Sequence, residues 1–256
     1  MSIHSIVIIG SGNVATHLGN AFKQSGFSVD AVYSRDIHKV TVLANQLEAK
    51  PYTQLDLIPS TADLYLIAVN DSAIAEVANQ LPIVNGLVVH TSGTMPIQVL
   101  NKHKRVGVFY PLQSLSKNTP VSSADIPVLL ETMQTEDLIV LETVAKQCGM
   151  NTLVVNSDDR KTVHLAAVFA NNFSNYLYTV AEQIMSTKGI PFDILKPLII
   201  ETARKVQHHN PSEVQTGPAL RKDVSTIEMH LQLLEKLPQY KKIYELLSNE
   251  IQESKS

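Results

Sequence analysis

The sequence has a single cysteine, Cys148, among 256 residues. That excludes an internal disulfide framework, and a reducing compartment such as the cytoplasm is the expected location. Excess charge is also lacking: 21 Lys and Arg stand against 24 Asp and Glu, a net of −3 with histidine neutral. Such a balance suits neither nucleic acid nor an anionic membrane surface as a partner. No apolar run approaches the ~18 residues of a membrane span. The N-terminus has no basic segment leading into a long apolar stretch, so no signal peptide is expected. Internal repeats and low-complexity segments are absent too. Hydrophobic residues make up 44% of the chain. That is enough for a sizeable core, in one large domain or two ordinary ones.

The first informative stretch is IVIIGSGNVATHLG, residues 6–19. Four apolar residues in a row fit a strand buried on both faces. A turn follows, Gly10-Ser11-Gly12-Asn13-Val14-Ala15, and then Val14, Leu18, Ala21 and Phe22 recur at helical spacing. A strand, a glycine turn and a helix in this order form the phosphate-binding start of a dinucleotide fold. The first glycine permits the turn, the second lets a pyrophosphate approach, and small Ala15 allows close packing. A methyltransferase would also present a glycine-rich turn here, so the turn alone does not name the cofactor.

The end of the second strand discriminates better. NAD enzymes place an acid there, whereas this chain reads YSRD at residues 33–36. Ser34 and Arg35 suit a 2′-phosphate, which would repel a carboxylate, so NADP is expected. Asp36 could enter the pocket after a small change of register, and Arg35 could be merely solvated.

Strands are expected at residues 28–34, 50–52, 63–69, 86–90 and 105–110, with helices at 37–47 and 71–81 between them. A serine-rich loop containing Pro120 spans 111–126. A strand at 127–130, a helix at 136–147 and a strand at 152–155 follow. The alternation predicts an α/β fold with a doubly wound, mostly parallel Rossmann sheet. Beyond residue 155 the pattern is all helical: one long helix from Ser157 or Asp158 to about Lys188, then helices at 192–207, 218–236 and 238–252. The expected domains are therefore 1–155, a nucleotide-binding sheet domain, and 156–256, a helical domain for substrate and dimerisation.

Two segments, Ala68-Val69-Asn70 and His90-Thr91-Ser92-Gly93, fall at the carboxyl ends of parallel strands, where open α/β sheets bind ligands, and Ala68, Val69, Asn70, Thr91, Ser92 and Gly93 are expected to join the cofactor site. His90 reads equally as a catalytic acid or a packed histidine. On the long helix, His164, Asn171 and Asn175 lie within roughly 40° of one another at 100° per residue, with Asn172 at the edge. That helix reads as central in its domain, so its polar stripe needs partners: substrate, cofactor or other protein groups. The pair His208-His209 lacks a third spaced ligand, so no metal is expected. Arg221 and Asp223 could be a surface pair or could reach an active site. Tyr240, Ile243, Tyr244, Leu247 and Ile251 form a stripe suited to core packing or to a dimer contact.

Six segments together carry a resemblance: GSGNVATHLG, HTSGTMPIQVL, GVFYPLQSLSK, HLAAVFANNFSNYL, TGPALRKD and HLQLL. They resemble the provisionally assigned NADP oxidoreductases that join a Rossmann-like domain to an uncharacterised helical domain. These are akin to the superfamily of 6-phosphogluconate dehydrogenase and pyrroline-5-carboxylate reductase. The resemblance implies NADP(H) held by Gly10, Ser11, Gly12, Asn13, Val14, Ser34 and Arg35, and a homodimer formed through the helical domain. It implies an active site lined by the loop from Tyr110 to Ser114, including Gln113, and by the helix of Asn171 and Asn172. Dehydrogenase relatives use a lysine on this helix with an asparagine a turn later. Here His164 stands on the helix instead, and Lys161 lies one turn earlier.

The resulting expectation is an oxidoreductase that moves hydride between a nicotinamide and a small carbonyl/alcohol or imine/amine substrate. His164 would be the acid/base, Asn171 or Asn172 would orient the substrate, and Tyr110, Gln113 and Arg221 would line its pocket. The alternatives are a non-catalytic NADP-binding sensor or scaffold and a deazaflavin-dependent NADP reductase.

Overall fold

The computed structural model describes residues 3–117, 119 and 121–254. Pro120, which marked the long loop in the sequence, lies outside them. The chain divides into two compact units, residues 1–172 and 173–256.

The first unit holds one sheet and its helices. In chain order these are β1 (Ser5–Ile9), α1 (Asn13–Gln24), β2 (Ser28–Tyr33), α2 (Ile37–Leu47), β3 (Lys50–Tyr52), β4 (Leu64–Ile67), α3 (Asp71–Gln80) and β5 (Leu87–His90). Next come β6 (Val106–Pro111), β7 (Val128–Thr132), α4 (Thr135–Gln147), β8 (Thr152–Val154) and α5 (Ser157–Ala167). The strand order is β3-β2-β1-β4-β5-β6-β7-β8. The first six strands follow the dinucleotide-binding order, with its switch point between β1 and β4. Every neighbouring pair is parallel except β6 and β7. A parallel return needs a long crossover, usually helical. Between β6 and β7 the described chain forms an isolated bridge, Ser116 to Thr119, and a short 3-10 turn, Ser123–Asp125, and β7 comes back antiparallel.

The sheet is covered on both faces, which explains its unbroken apolar strands. Ile6, Ile8, Leu64, Leu66, Val89 and Phe109 pack on one side with Leu18 and Phe22 of α1, Leu43 of α2 and Leu141 of α4. Val7, Ile9, Tyr65, Ile67, Val88 and Val108 pack on the other with Ile74 and Ala78 of α3. The alternation along each strand is the period-two geometry of extended chain.

One ionic contact pins α5 into this unit. Arg160 is wholly buried, and its guanidinium bonds the Glu131 carboxylate of β7 and the Met95 carbonyl. Ser157 Oγ donates to the same carboxylate at 2.9 Å and accepts from the Ile97 amide at 3.2 Å. These ties place residues 156–172 with the sheet, so the compact division falls seventeen or so residues after the pattern change near residue 155.

The expected single helix to about Lys188 is three pieces: α5, a π-helical stretch Val168–Phe173, and α6 (Ser174–Ser186). Nor is it central in its domain. Among its described side chains only Arg160 and Val180 are buried, while Leu165, Phe169, Phe173 and Tyr176 are exposed. The reading of a buried helix is corrected on this point: most of its described apolar side chains are exposed or half-buried.

The second unit holds α6, α7 (Lys196–Lys205), α8 (Val224–Leu233) and α9 (Pro238–Glu253). Its core consists of Val180, Leu234 and Tyr240, backed by Leu237, Ile243 and Tyr244. The expected helix at 218–236 starts later, because Lys222 adopts a positive φ of 53° and Asp223 caps α8 through the Thr226 amide at 3.1 Å. Among the described residues no helix is long and apolar enough to cross a membrane.

Removing one partner of a buried pair strands the other charge, at a cost of about 3–5 kcal/mol. Arg160→Ala should lose stability on that scale in denaturant titrations. The double replacement Arg160→Met with Glu131→Leu should lose much less, because no buried charge is left alone.

Candidate functional site

The glycine turn is set by backbone contacts. Gly10 has φ +129°, and a Cβ there would lie 2.2 Å from the Ala68 carbonyl oxygen. Only glycine lets β1 and β4 approach this closely at the switch point. Around Gly12 there is open space, and no side chain caps the N-terminus of α1. Uncapped amides at a helix start are suited to a phosphate.

Beside the turn lies a cleft of about 330 Å³ lined by Gly10, Ser11, Gly12, Ser34, Arg35 and Lys39, and on the far side by Ala68, Val69 and Asn70. Ser11 Oγ donates to Ser34 Oγ at 3.0 Å, joining the turn to the end of β2. Asp36 also borders the cleft, but its carboxylate is committed elsewhere. It accepts from the His38 and Lys39 amides at 3.0 and 3.1 Å and pairs with Lys39 Nζ at 3.4 Å. These bonds, the Lys39 amide foremost, hold its carboxyl below the usual range. Asp36 is thus the N-cap of α2, which answers the question of register left open by YSRD. The acid that faces the cleft from α3 is Glu76.

Two cations here were missed in the sequence. Lys39 follows Arg35 by four residues and sits on the first turn of α2, a signal available in the spacing once Asp36 is recognised as a cap. Lys117 gave no signal. It arrives from the loop after β6, and its Nζ donates to the Ser11 carbonyl at 2.8 Å, across 106 positions of sequence. A second tie holds the same loop, from His17 Nε2 to the Ser116 carbonyl at 2.8 Å.

A second cavity, about 520 Å³, lies at α5 and the π stretch. Its lining includes Tyr110, Gln113, His164, Asn171 and Asn172, among small apolar side chains such as Ala167. No charged side chain borders it among the described residues. His164 Nδ1 and the Tyr110 hydroxyl are 2.9 Å apart. Burial pushes the Tyr110 phenol up, Asp71 adds to the rise, and Arg160 opposes it. Gln113 uses its amide to hold its own loop, donating to the Asp125 carbonyl at 3.0 Å and accepting from the Ser114 amide at 2.8 Å. The wider π turn breaks the 100° projection from His164, so Asn171 and Asn172 both border the cavity, and Asn175 does not.

The remaining expected site residues are placed as follows. Asn13 and Val14 open α1. Thr91 and Ser92 are buried beneath the turn after β5, where Ser92 Oγ accepts from the Thr94 and Met95 amides at 3.0 Å. Gly93 lies against His164 and Tyr110. Arg221 belongs to the second unit, is exposed, and lowers the Asp223 carboxyl as the last of several causes, led by the Thr226 amide. Lys161 makes a surface pair with Asp158 at 3.0 Å.

His90 is no catalytic acid. It is fully buried, and its Nδ1 accepts from the Ser92 amide at 3.2 Å. Desolvation, aided by the Arg160 charge, pushes its imidazole down to about 4.

A model of the Rossmann-like domain matches residues 2–113, and a model of a domain of unknown function, DUF2520, matches residues 126–251. A provisionally named NADP oxidoreductase from Bacteroides fragilis is 39% identical, with 98% of each chain covered and a TM-score of 0.91. The chain belongs to this Rossmann-like, DUF2520-containing family. The family shares its fold more widely. A protein from Thermotoga maritima is 23% identical over 97% of this chain and 99% of its own, with a TM-score of 0.80. The imine reductase from Myxococcus stipitatus, solved with NADP+, is 17% identical over 98% and 93%, with a TM-score of 0.69. No curated protein matches the chain. The resemblance seen in the six sequence segments is to the family that these matches show.

His90 generates a test. Its folded-state value near 4 lies below the ordinary ~6.5 of the unfolded chain, so between these values the unfolded state binds the extra proton. Stability should therefore fall by about 3 kcal/mol as pH drops from ~6.5 to ~4, and by no more from this group below that. His90→Gln should flatten that part of a plot of unfolding free energy against pH. An equally steep plot in the variant would refute the assignment.

Proposed function

We propose that the chain is an NADP(H)-dependent oxidoreductase acting on a small carbonyl/alcohol or imine/amine pair. The observation that carries the reading is the cleft at the switch point. A turn whose Gly10 tolerates no side chain meets a strand end whose acid, Asp36, is spent on a helix cap, so that Ser34, Arg35 and Lys39 face a ligand there, with Glu76 of α3 also on the cleft. That donor set fits a 2′-phosphate: two cations and a hydroxyl, where a free carboxylate would select the 2′-OH of NAD. Gly12 and the uncapped amides of α1 would receive the pyrophosphate, with Lys117 beside them. The names of the family member from Bacteroides fragilis and of the imine reductase support the same cofactor.

When bound, NADPH supplies a hydride; the chain must supply and accept the accompanying proton. His164 serves as this acid/base, since an imidazole can both give and take a proton. Asn171 and Asn172 orient the heteroatom of the substrate, and the uncharged lining suits a neutral carbonyl or imine.

A homodimer through the second unit completes the proposal. Its small core leaves Phe173, Tyr176, Ile194, Leu198, Leu233 and Leu246 exposed. So many exposed large apolar side chains on so small a unit call for a covering surface, and light scattering should give the mass of two chains. A reducing, cytoplasmic setting agrees with Cys148, which is buried and whose thiol burial pushes up.

Arg35→Ala should remove charge-assisted bonds worth about 1.5–3 kcal/mol to NADPH, roughly a 10- to 150-fold loss, and leave NADH nearly untouched. Lys117→Ala should weaken both cofactors alike. Calorimetry with both cofactors on each variant separates the two roles, and tighter NADH than NADPH binding by the unaltered protein would overturn the cofactor assignment. A screen of carbonyls and imines followed by NADPH absorbance tests the activity. With a substrate in hand, His164→Ala should cut turnover roughly 100-fold while NADPH still binds. A chain that binds NADPH but oxidises it with no member of the screen would be a sensor or scaffold instead.

A further inference from the structure

His164 has two ring nitrogens, and the structure treats them differently. Nδ1 is 2.9 Å from the Tyr110 hydroxyl, whereas Nε2 has no hydrogen-bond partner among the described residues. The rings meet edge to face, with centroids 6.0 Å apart. Space for this pairing comes from Gly93. A Cβ on that residue would stand 2.6 Å from His164 Nδ1 and 2.9 Å from Tyr110 Cζ. Gly93 has an ordinary backbone conformation, so its φ imposes no requirement for glycine; the neighbours do.

We propose that Tyr110 is a positioning residue for His164. It holds Nδ1 in both protonation states and leaves Nε2 as the atom that exchanges the proton, and Gly93 is glycine because the pair fills the space of its side chain. A hydroxyl is suited to this task because it both donates and accepts. Toward the neutral imidazole at rest it donates to Nδ1, which favours the tautomer with the proton on Nε2. Toward an imidazolium it accepts from Nδ1–H. When Nε2 gives its proton to a substrate oxygen or nitrogen, the imidazolium becomes neutral and Nδ1–H remains on the ring, bonded to the phenol oxygen. One proton taken from solvent at Nε2 then restores the imidazolium, with Nδ1–H still held by the phenol oxygen. Groups that bear on the pair are Asp71 at the start of α3 and Arg160 of α5, whose opposite charges act on the phenol in opposite directions.

The assignment of Nε2 as the reacting atom rests on the proposed role of His164; the hydrogen bond and the tautomer do not. Long-range proton–nitrogen NMR of the full chain at alkaline pH reads the tautomer directly, with His164→Gln identifying the signals. The Nε2–H tautomer should dominate, with a hydrogen-bonded Nδ1. In Tyr110→Phe the Nδ1 signal should move to that of a free acceptor and the tautomer ratio should relax towards that of free imidazole. Gly93→Ala should give the same loss in the His164 signals. An Nδ1–H tautomer in the unaltered protein, or His164 signals untouched by both variants, would overturn the proposal. Should Tyr110→Phe fail to fold, the unaltered protein and Gly93→Ala still decide it. Absence of NADPH binding would refute the proposed function but leave the tautomer result standing. With a substrate, Tyr110→Phe should lower kcat roughly tenfold, the weight of one hydrogen bond, with KM for NADPH unchanged.

Discussion

Arg160 carries a full charge into a place no water reaches, and Glu131, Ser157 and the Met95 carbonyl are what make that tolerable. Burying an ion pair gains little stability compared with a well-packed apolar pair; its value lies in geometry, because neither charge can move without stranding the other. Here the geometry is transmitted. Glu131 is fixed by the β7 ladder, Arg160 is fixed by Glu131, and His164 stands one turn further along α5. The Tyr110–His164 distance is thus set by a buried charge on one side and by the β6 backbone on the other. The same guanidinium helps keep buried His90 neutral, so one residue separates the structural histidine from the accessible one.

Much of the first unit was legible because its signals are local and agree with one another. Residues 37–47 and 50–52 form the expected helix and strand, and the unbroken apolar strands announced a sheet covered on both faces. The glycine turn was readable for a similar reason: the need for glycine at Gly10 comes from a close approach that recurs wherever a strand turns into a helix at a switch point. The antiparallel step at β7 was less accessible, because it follows from a connection lacking a crossover helix and not from any residue in the strand.

What escaped the sequence was non-local. Lys117 reaches Ser11 through a loop whose polarity says only that it is solvated. The demand on Gly93 comes from two side chains, 17 and 71 residues away in the chain, that no pattern connects. The long helix was misread for a different reason. Apolar side chains at helical spacing resemble a core signature, and the constant pitch of a helical wheel does not hold through Val168–Phe173. A π turn has no strong sequence mark, yet it decides which side of the helix the two asparagines take.

Asp36 shows how a structure can reverse the meaning of a residue without moving it far. An acid beside the second strand ordinarily argues for a ribose diol and against a 2′-phosphate. Its influence depends on whether its lone pairs are free. Two amides and the Lys39 ammonium occupy them here, so the carboxylate neutralises part of the helix-start field instead of opposing a phosphate. Lys39 lines the cleft together with Asp36, able to turn from one anion to another at small cost because exposed pairs of this kind are worth little. The pair therefore keeps the cation close to the cleft without committing it. The selection of one cofactor over another at this strand end is then governed by which charges remain unspent after the helix has been capped, a property of the folded turn and not of the residue types alone.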